Sequence, residues 1–205
     1  MTTKSRPRGQ TGHLLLAETA RAASGRRQDH STGAHLTLLA GLPPRTFFPD
    51  TVGADVVQVD DPATPHPLLA RVQHAGRHEG PTVVYVSGRL VCDHRRGDLH
   101  IALRDATRRN VRYTGLPWAW LTDALAARPA VSTLVIVDVT AEPDAWTAIS
   151  RDPTAFTRGM PVWGAVTPAP ARGDAVDGAA PFTRALAHTL TRGAPRLPDR
   201  ITARD

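Results

Sequence analysis

Arg89 and Thr140 are the first residues to examine for chemistry, because each follows directly on an apolar run rich in β-branched residues. The first run begins at residue 82 as TVVYV and stops on Ser87-Gly88, and the second, TLVIVDV, covers residues 133–139. Such runs predict strands that are buried on both faces of a parallel sheet. In open α/β sheets, functional groups lie just past the carboxyl ends of the strands. There, a guanidinium binds carboxylates or phosphates, and a hydroxyl becomes a nucleophile when a base lies beside it.

Shorter segments predict the elements that would position these two residues. Further strands are expected at residues 13–18, 55–59, 99–103 and 161–167, and helices at 34–42, 66–75, 117–127, 144–150 and 181–192. Strands that alternate with helices predict an α/β fold with a mostly parallel, helix-flanked open sheet of about six strands. The carboxyl ends of its first, third and fourth strands would gather a set of polar side chains. These binding-cleft candidates are Glu18, Ser87, Arg89, Asp138, Thr140 and Glu142.

The length of 205 residues suits one well-buried core and is too short for two comfortable domains. We expect a flexible basic arm at residues 1–12, one α/β domain at 13–193 and a loosely ordered tail at 194–205. Polar or small residues predict loops at 19–33 and 168–180. No apolar run approaches the roughly 18 residues that span a bilayer, and no signal peptide is recognisable. A cytoplasmic protein with no membrane partner is therefore expected.

The net charge of +6 comes almost wholly from arginine, since Lys4 is the only lysine. An arginine-rich arm is compatible with nucleic-acid binding, but no aromatic residues are interleaved in it to stack bases, so a solvated arm is favoured. The single cysteine, Cys92, excludes an intramolecular disulfide and a multi-cysteine metal site. We see no glycine-rich phosphate loop and no metal-spaced histidine pair, so neither a cofactor nor a metal is expected.

The order of these features resembles the caspase-like cysteine peptidases, and in particular their metacaspase-type branch. In that family an apolar strand ends in a Ser/Ala-Gly-His-Gly motif, and a second strand some fifty residues later ends in Asp-Cys-Cys. Here YVSGRL stands at the first place and VIVDVTAE at the second, which puts Arg89 and Thr140 51 residues apart. The resemblance covers roughly residues 13–193 and implies a caspase-hemoglobinase-like three-layer sandwich.

Both catalytic positions of the family are substituted in this chain. Arg89 stands in place of the histidine, Leu90 in place of the glycine that follows it, and Thr140 in place of the cysteine. Arginine stays protonated and cannot act as a base, and an internal threonine without a base nearby is a poor nucleophile. The resemblance therefore implies a pseudopeptidase with no catalytic residues, which acts as a scaffold, regulator or partner of another component. Partner proteins could include an active homologue or a second copy of the chain.

Two alternatives remain: a hydrolase with relocated or residual activity, and an arginine-rich nucleic-acid-binding accessory protein. Relocated chemistry would have to use Cys92 with His94, but neighbouring residues in an exposed turn seldom face each other. Asp138 is expected to be a structural hydrogen-bonding residue. We further expect Arg89 to pair with Asp138 or Glu142 and so fill the degenerate cleft. The strand PVWGAVT, residues 161–167, is the candidate edge for protein binding.

Overall fold

A computed structural model describes residues 9–19, 33–169 and 180–193 of the chain. Over these residues the fold is α/β, with a seven-stranded, mostly parallel open sheet that helices cover on both faces. The predicted fold class is confirmed. Residues 1–8 of the predicted arm, the tail and most of the two predicted loops lie outside the described residues, whereas Thr11 and Gly12, which the sequence assigned to the arm, already belong to the first strand.

The strands are β1 (Thr11–Glu18), β2 (Gly53–Asp60), β3 (Thr82–Cys92), β4 (Leu99–Ala102), β5 (Leu116–Pro117), β6 (Thr133–Ala141) and β7 (Val162–Pro168). Five of them are parallel and stand in the order β2, β1, β3, β6, β7, and the short antiparallel strands β4 and β5 extend the sheet beside β3. Among the described strands, β2 and β7 each have one neighbour and form the edges of the parallel part.

Strand β3 is the centre of the sheet, and all eleven of its residues are buried. It pairs with β1 over residues 82–87, with β6 over 82–90, and then with β4, antiparallel, over 89–92. The strand therefore continues past Ser87-Gly88, where the sequence predicted its end. Arg89 and Thr140 lie within β3 and β6 and not beyond them.

Gly88 explains why β3 can continue past the end of β1. Its φ of 145° lies in a region that favours glycine, and a Cβ at this position would collide with the side chain of Thr19. Thr19 ends β1 by donating both its backbone N–H (2.9 Å) and its hydroxyl (3.2 Å) to the carbonyl of Ser87. The glycine lets β1 finish close against β3, while β4 takes up the pairing from Arg89 onward.

Helices bury one apolar stripe each against the sheet. The helices are α1 (Ala34–Ala40), α2 (Pro65–Arg77), α3 (Val111–Thr114), α4 (Trp118–Leu125), α5 (Pro143–Arg151), α6 (Pro153–Thr157) and α7 (Pro181–Arg192). Elements α2, α4, α5 and α6 pack with the larger core on one face, and α1 and α7 pack with a second core on the other. In α2 the buried residues are Leu68, Val72 and Ala75, which is helical spacing. Among the described residues, no helix is long and apolar enough to cross a bilayer.

Candidate functional site

A polar layer lies at the carboxyl ends of the three central strands. Glu18 of β1, Ser87 of β3 and Asp138 of β6 are register partners and form one row across the sheet. Arg89 and Thr140 are also register partners, two residues further along, and therefore lie on the same face as that row. The structure thus brings five of the six predicted cleft residues to one face. Glu142, the sixth, directly precedes α5.

Glu18 is fully buried and holds the first turn of α1. Its Oε1 lies 2.8 Å from Nδ1 of His35, and its Oε2 accepts the backbone N–H groups of His35 and Leu36 at 3.2 and 3.4 Å. A buried carboxylate needs such partners, because an unpaired charge in the interior is costly. Glu18 therefore fixes both the start of α1 and the orientation of the His35 ring.

His35 lies between the two carboxylates of the row. Its Nε2 accepts the backbone N–H of Ala180 at 2.9 Å and lies 3.7 Å from Oδ2 of Asp138. Because Nε2 accepts a hydrogen bond, the proton of the ring belongs on Nδ1, which then donates to Glu18. The ring connects β1 and α1 to the segment that leads into α7.

Asp138 completes this connection on the side of β6. Its Oδ2 accepts the hydroxyl and, at 3.2 Å, the backbone N–H of Thr183 in α7. The Thr183 hydroxyl also lies 2.6 Å from that of Tyr85. Burial raises the pKa of Tyr85 above its ordinary value, so its hydroxyl stays neutral and can donate. Asp138 thus has the structural hydrogen-bonding role predicted for it.

The Glu18–His35–Asp138–Thr183–Tyr85 network is closed to substrate. None of its residues exposes more than 5% of its surface. A general base must reach a proton of its substrate, and this histidine is surrounded by protein on every side that the structure describes. The network joins α1 and α7 to the sheet.

Arg89 belongs to a second network, separate from the first. Its guanidinium donates to Oε1 of Glu142 at 2.6 Å and to the carbonyl of Ala106 at 2.9 Å, and the residue is 5% exposed. The predicted pairing with a carboxylate is therefore confirmed for Glu142, and no hydrogen bond joins Arg89 to Asp138. Burial lowers the pKa of Arg89, and Glu142 opposes that change by stabilising the charge.

A chain of charges leads from this buried pair to the surface. Arg108 donates to the second carboxylate oxygen of Glu142 at 2.6 Å and to Asp144 at 3.0 Å. The same Asp144 oxygen lies 3.7 Å from Nδ1 of His94. Glu142 is thus shared by two arginines, one buried and one 43% exposed. Both carboxylate oxygens of Glu142 are therefore bound by side chains of the protein itself.

Thr140 is half-buried beside Arg89. Within the described residues, neither a histidine nor a carboxylate forms a hydrogen bond with its hydroxyl. A threonine hydroxyl needs such a partner to lose its proton during attack. Among the described residues, therefore, no base is placed to activate the Thr140 hydroxyl.

Cys92 does not lie in an exposed hairpin loop, as the sequence suggested. It is the last residue of β3, pairs with Leu99 of β4 and packs in the larger core with 8% of its surface exposed. Burial, followed by the carboxylates of Asp144 and Asp98, raises the pKa of its thiol. A buried, protonated thiol is a poor nucleophile. His94 lies in the exposed turn beyond the strand and pairs with Asp144, not with Cys92.

Sequence reasoning missed His35 as part of the site. Its partners Glu18 and Asp138 are 17 and 103 residues away along the chain. The only local signal for His35 was the apolar pattern of the helix predicted at 34–42, which indicates that one face of that helix packs against the sheet. No protein-family model matches the chain, and no curated protein matches it significantly.

Proposed function

We propose that this protein is a catalytically inactive relative of the caspase-like peptidases and that it acts by binding another protein. One observation carries the proposal. At the position that the resemblance assigns to the catalytic histidine, Arg89 is buried and bound to Glu142 at 2.6 Å. The place of the general base is occupied by a permanent cation that has its own counter-ion.

The remaining groups of the site support the same conclusion. A peptidase of this kind needs a thiolate and a base that titrates near neutral pH. Thr140 has no base beside it among the described residues, Cys92 is buried with the pKa of its thiol raised, and the ring of His35 is enclosed between Glu18 and Asp138. These three features disfavour both the inherited chemistry and a relocated version of it.

Edge strand β7 is the surface that we assign to protein binding. Its sequence VWGAVTP has no charged residue, and its backbone pairs only with β6 within the described part of the chain. Exposed edges usually carry charges, because unpaired N–H and C=O groups attract another strand. Thr167 is the register partner of Thr140, so only β7 would lie between an added strand and Thr140 on β6.

Peptide hydrolysis tests the loss of activity. We expect the untagged protein to cleave none of a panel of fluorogenic peptides with Arg, Lys or Asp before the scissile bond. Cys92→Ala and Thr140→Ala should give the same background as the wild-type chain. Turnover that either substitution abolishes would refute the proposal, since it would identify a working nucleophile.

Co-purification from the native cell tests the binding role. A specific protein partner should be retained by Cys92→Ala and Thr140→Ala and lost with Thr167→Lys, which places a charge on β7. Gln58→Lys provides the matched control, because Gln58 is exposed on the other edge strand, β2. Partner binding that depends on the thiol, or that both lysine variants abolish equally, would contradict the assignment to β7.

A further inference from the structure

At the opposite end of β1 from Glu18, three side chains from three elements converge. His13 lies near the start of β1, its register partner Asp55 lies in β2, and His74 lies on α2. One ligand atom from each residue lies within 4.8 Å of the other two. Glu18 is five residues further along β1 than His13, which places this cluster about 17 Å along the strand from the polar layer.

His13 is the unusual member, because its side chain is completely buried and yet has no hydrogen bond among the described residues. Its exposed fraction is 0%, and neither Nδ1 nor Nε2 has a partner among the described residues. Buried polar atoms nearly always have a partner, so a buried imidazole with two unused nitrogens needs an explanation. Burial, followed by the charges of His78 and His74, lowers the pKa of His13 to about 4. An imidazole with two unused nitrogens can offer one of them to a metal ion.

Asp55 and His74 are exposed, and no side-chain hydrogen bond holds either of them within the described residues. Three ligands of a tetrahedral ion with bonds of about 2.0–2.1 Å stand about 3.3 Å apart. Small side-chain rotations at Asp55 and His74 would close the difference from 4.8 Å. The buried ring supplies a fixed anchor, and the two surface side chains supply the adjustable part.

Two neighbouring groups limit the ligand set. The ring of His78 lies 5.2 Å from that of His13, but its Nε2 is bound to the carbonyl of Thr11 at 2.8 Å. Arg128 is also nearby, and it donates to the carbonyls of His78 and Gly80 and to the hydroxyl of Thr133. Its positive charge opposes a cation at the cluster, and the carboxylate of Asp55 offsets it.

We propose that His13, Asp55 and His74 bind a divalent transition-metal ion of the Zn²⁺ class at the amino-terminal end of the sheet. Two imidazoles and one carboxylate suit Zn²⁺, whereas Ca²⁺ and Mg²⁺ require oxygen ligands in larger number. Three protein ligands leave a fourth position for water or for a group from a partner molecule. The site tethers edge strand β2 and α2 to β1 and is independent of the pseudopeptidase proposal.

The test is Zn²⁺ binding by the full chain, free of any histidine tag, measured by titration calorimetry and by thermal unfolding. Changes in outer-shell partners weaken metal binding by about 10–100-fold, so the loss of a direct ligand should cost at least about tenfold. We expect this loss in His74→Asn and in Asp55→Asn, both at exposed positions that should leave the fold intact. His66→Asn is the matched control, because His66 is exposed on the same helix.

Co²⁺ gives a second readout. Bound to the wild-type chain in the expected site, it should show the visible absorption of a four- or five-coordinate ion, which His74→Asn removes and His66→Asn retains. Equal Zn²⁺ affinity in the two histidine variants would overturn the proposal. So would the absence of any Zn²⁺ binding, or stabilisation by Mg²⁺ that matches that by Zn²⁺.

Discussion

If Arg89 stands in the place of a catalytic histidine, as we propose, the substitution changes what the central strand can do more than how it is built. An imidazole at position 89 would titrate near neutral pH, whereas a guanidinium remains charged under all ordinary conditions. A buried charge is tolerated only with a partner, and Glu142 provides one at 2.6 Å. A buried arginine at this position therefore supplies no base, and it requires the carboxylate of Glu142 as its partner.

A double-mutant cycle on Arg89 and Glu142 measures this dependence. Glu142→Gln leaves a buried guanidinium without its counter-ion, and we expect it to lower the free energy of unfolding by about 3–5 kcal/mol. Arg89→Met should cost less, about 2–3 kcal/mol, because Glu142 keeps Arg108. The double variant should recover at least about 1 kcal/mol relative to the sum of the single changes. Urea unfolding provides all four values.

The surface pair of Arg158 and Asp123 is the control for this cycle. These side chains are 45% and 60% exposed, so their pairing energy should be below about 1 kcal/mol. Strictly additive losses at Arg89 and Glu142, or a coupling no larger than that of the surface pair, would show that the buried contact does not stabilise the fold.

Alkylation of Cys92 tests whether its thiol is as unreactive as the proposed lack of peptidase activity requires. The thiol is buried and its pKa is raised, so the reactive thiolate is scarce in the native protein. We expect iodoacetamide at pH 8 to react at least about tenfold more slowly with the native chain than with the chain unfolded in urea. A native rate equal to the unfolded one would mean that the thiol is accessible. It would then favour the alternative hypothesis of a hydrolase that uses Cys92 as its nucleophile.

The pairing of Arg89 with Glu142 was predictable because both residues stand near the carboxyl ends of central strands, and parallel strands end at the same edge of the sheet. The role of His35 was not predictable in this way. Its ring is positioned by Glu18 from β1 and Asp138 from β6, and such tertiary contacts leave no periodic signal in the local sequence. The cluster of His13, Asp55 and His74 was missed for the same reason, because its two histidines lie 61 residues apart along the chain.

At the scale of elements, the sequence patterns predicted every parallel strand and five of the seven α-helices among the described residues, and they missed α3 and α6. The carboxyl end of β3 was predicted wrongly, because Ser87-Gly88 was interpreted as a turn. Gly88 instead accommodates the close approach of Thr19, and the strand then pairs with β4. A glycine within a strand indicates either a break or a close backbone approach, and sequence alone does not separate the two.

Helix α7 offers an element-scale prediction, because it follows residues outside the described part and is joined to the sheet by Asp138. Asp138→Ala removes the acceptor of both the hydroxyl and the N–H of Thr183, and we expect a loss of about 2–3 kcal/mol. The loss should be local at first. Hydrogen exchange should therefore accelerate in α7 more than in β3.

Asp123→Ala serves as the control for α7, since Asp123 is an exposed carboxylate whose partner is Arg158. It should change exchange in α7 by no measurable amount. Uniform acceleration across the whole sheet in Asp138→Ala would contradict a local role for the contact and would make Asp138 a residue of the global core.

At the scale of the whole molecule, the two edge strands of the parallel sheet differ in charge. Strand β2 has charged residues, among them Asp55 and Asp60, which discourage pairing with another strand. Strand β7 has none, and it is interrupted only by Gly164 with a φ of 138°. If the cleft is closed by its own side chains, association is expected to take place at β7 and not at β2.

Self-association is the simplest form of that association, because an isologous pair needs one surface only. We expect the wild-type chain to form dimers in sedimentation velocity as its concentration rises, through antiparallel addition of β7 to β7. Thr167→Lys should raise the dimer dissociation constant at least about tenfold, because a lysine on an edge strand opposes the addition of another strand. Gln58→Lys, on the β2 edge, should leave it unchanged. A wild-type chain that stays monomeric at all concentrations would show that β7 does not pair with itself, and equal weakening by both lysine variants would show that the effect comes from net charge and not from the edge.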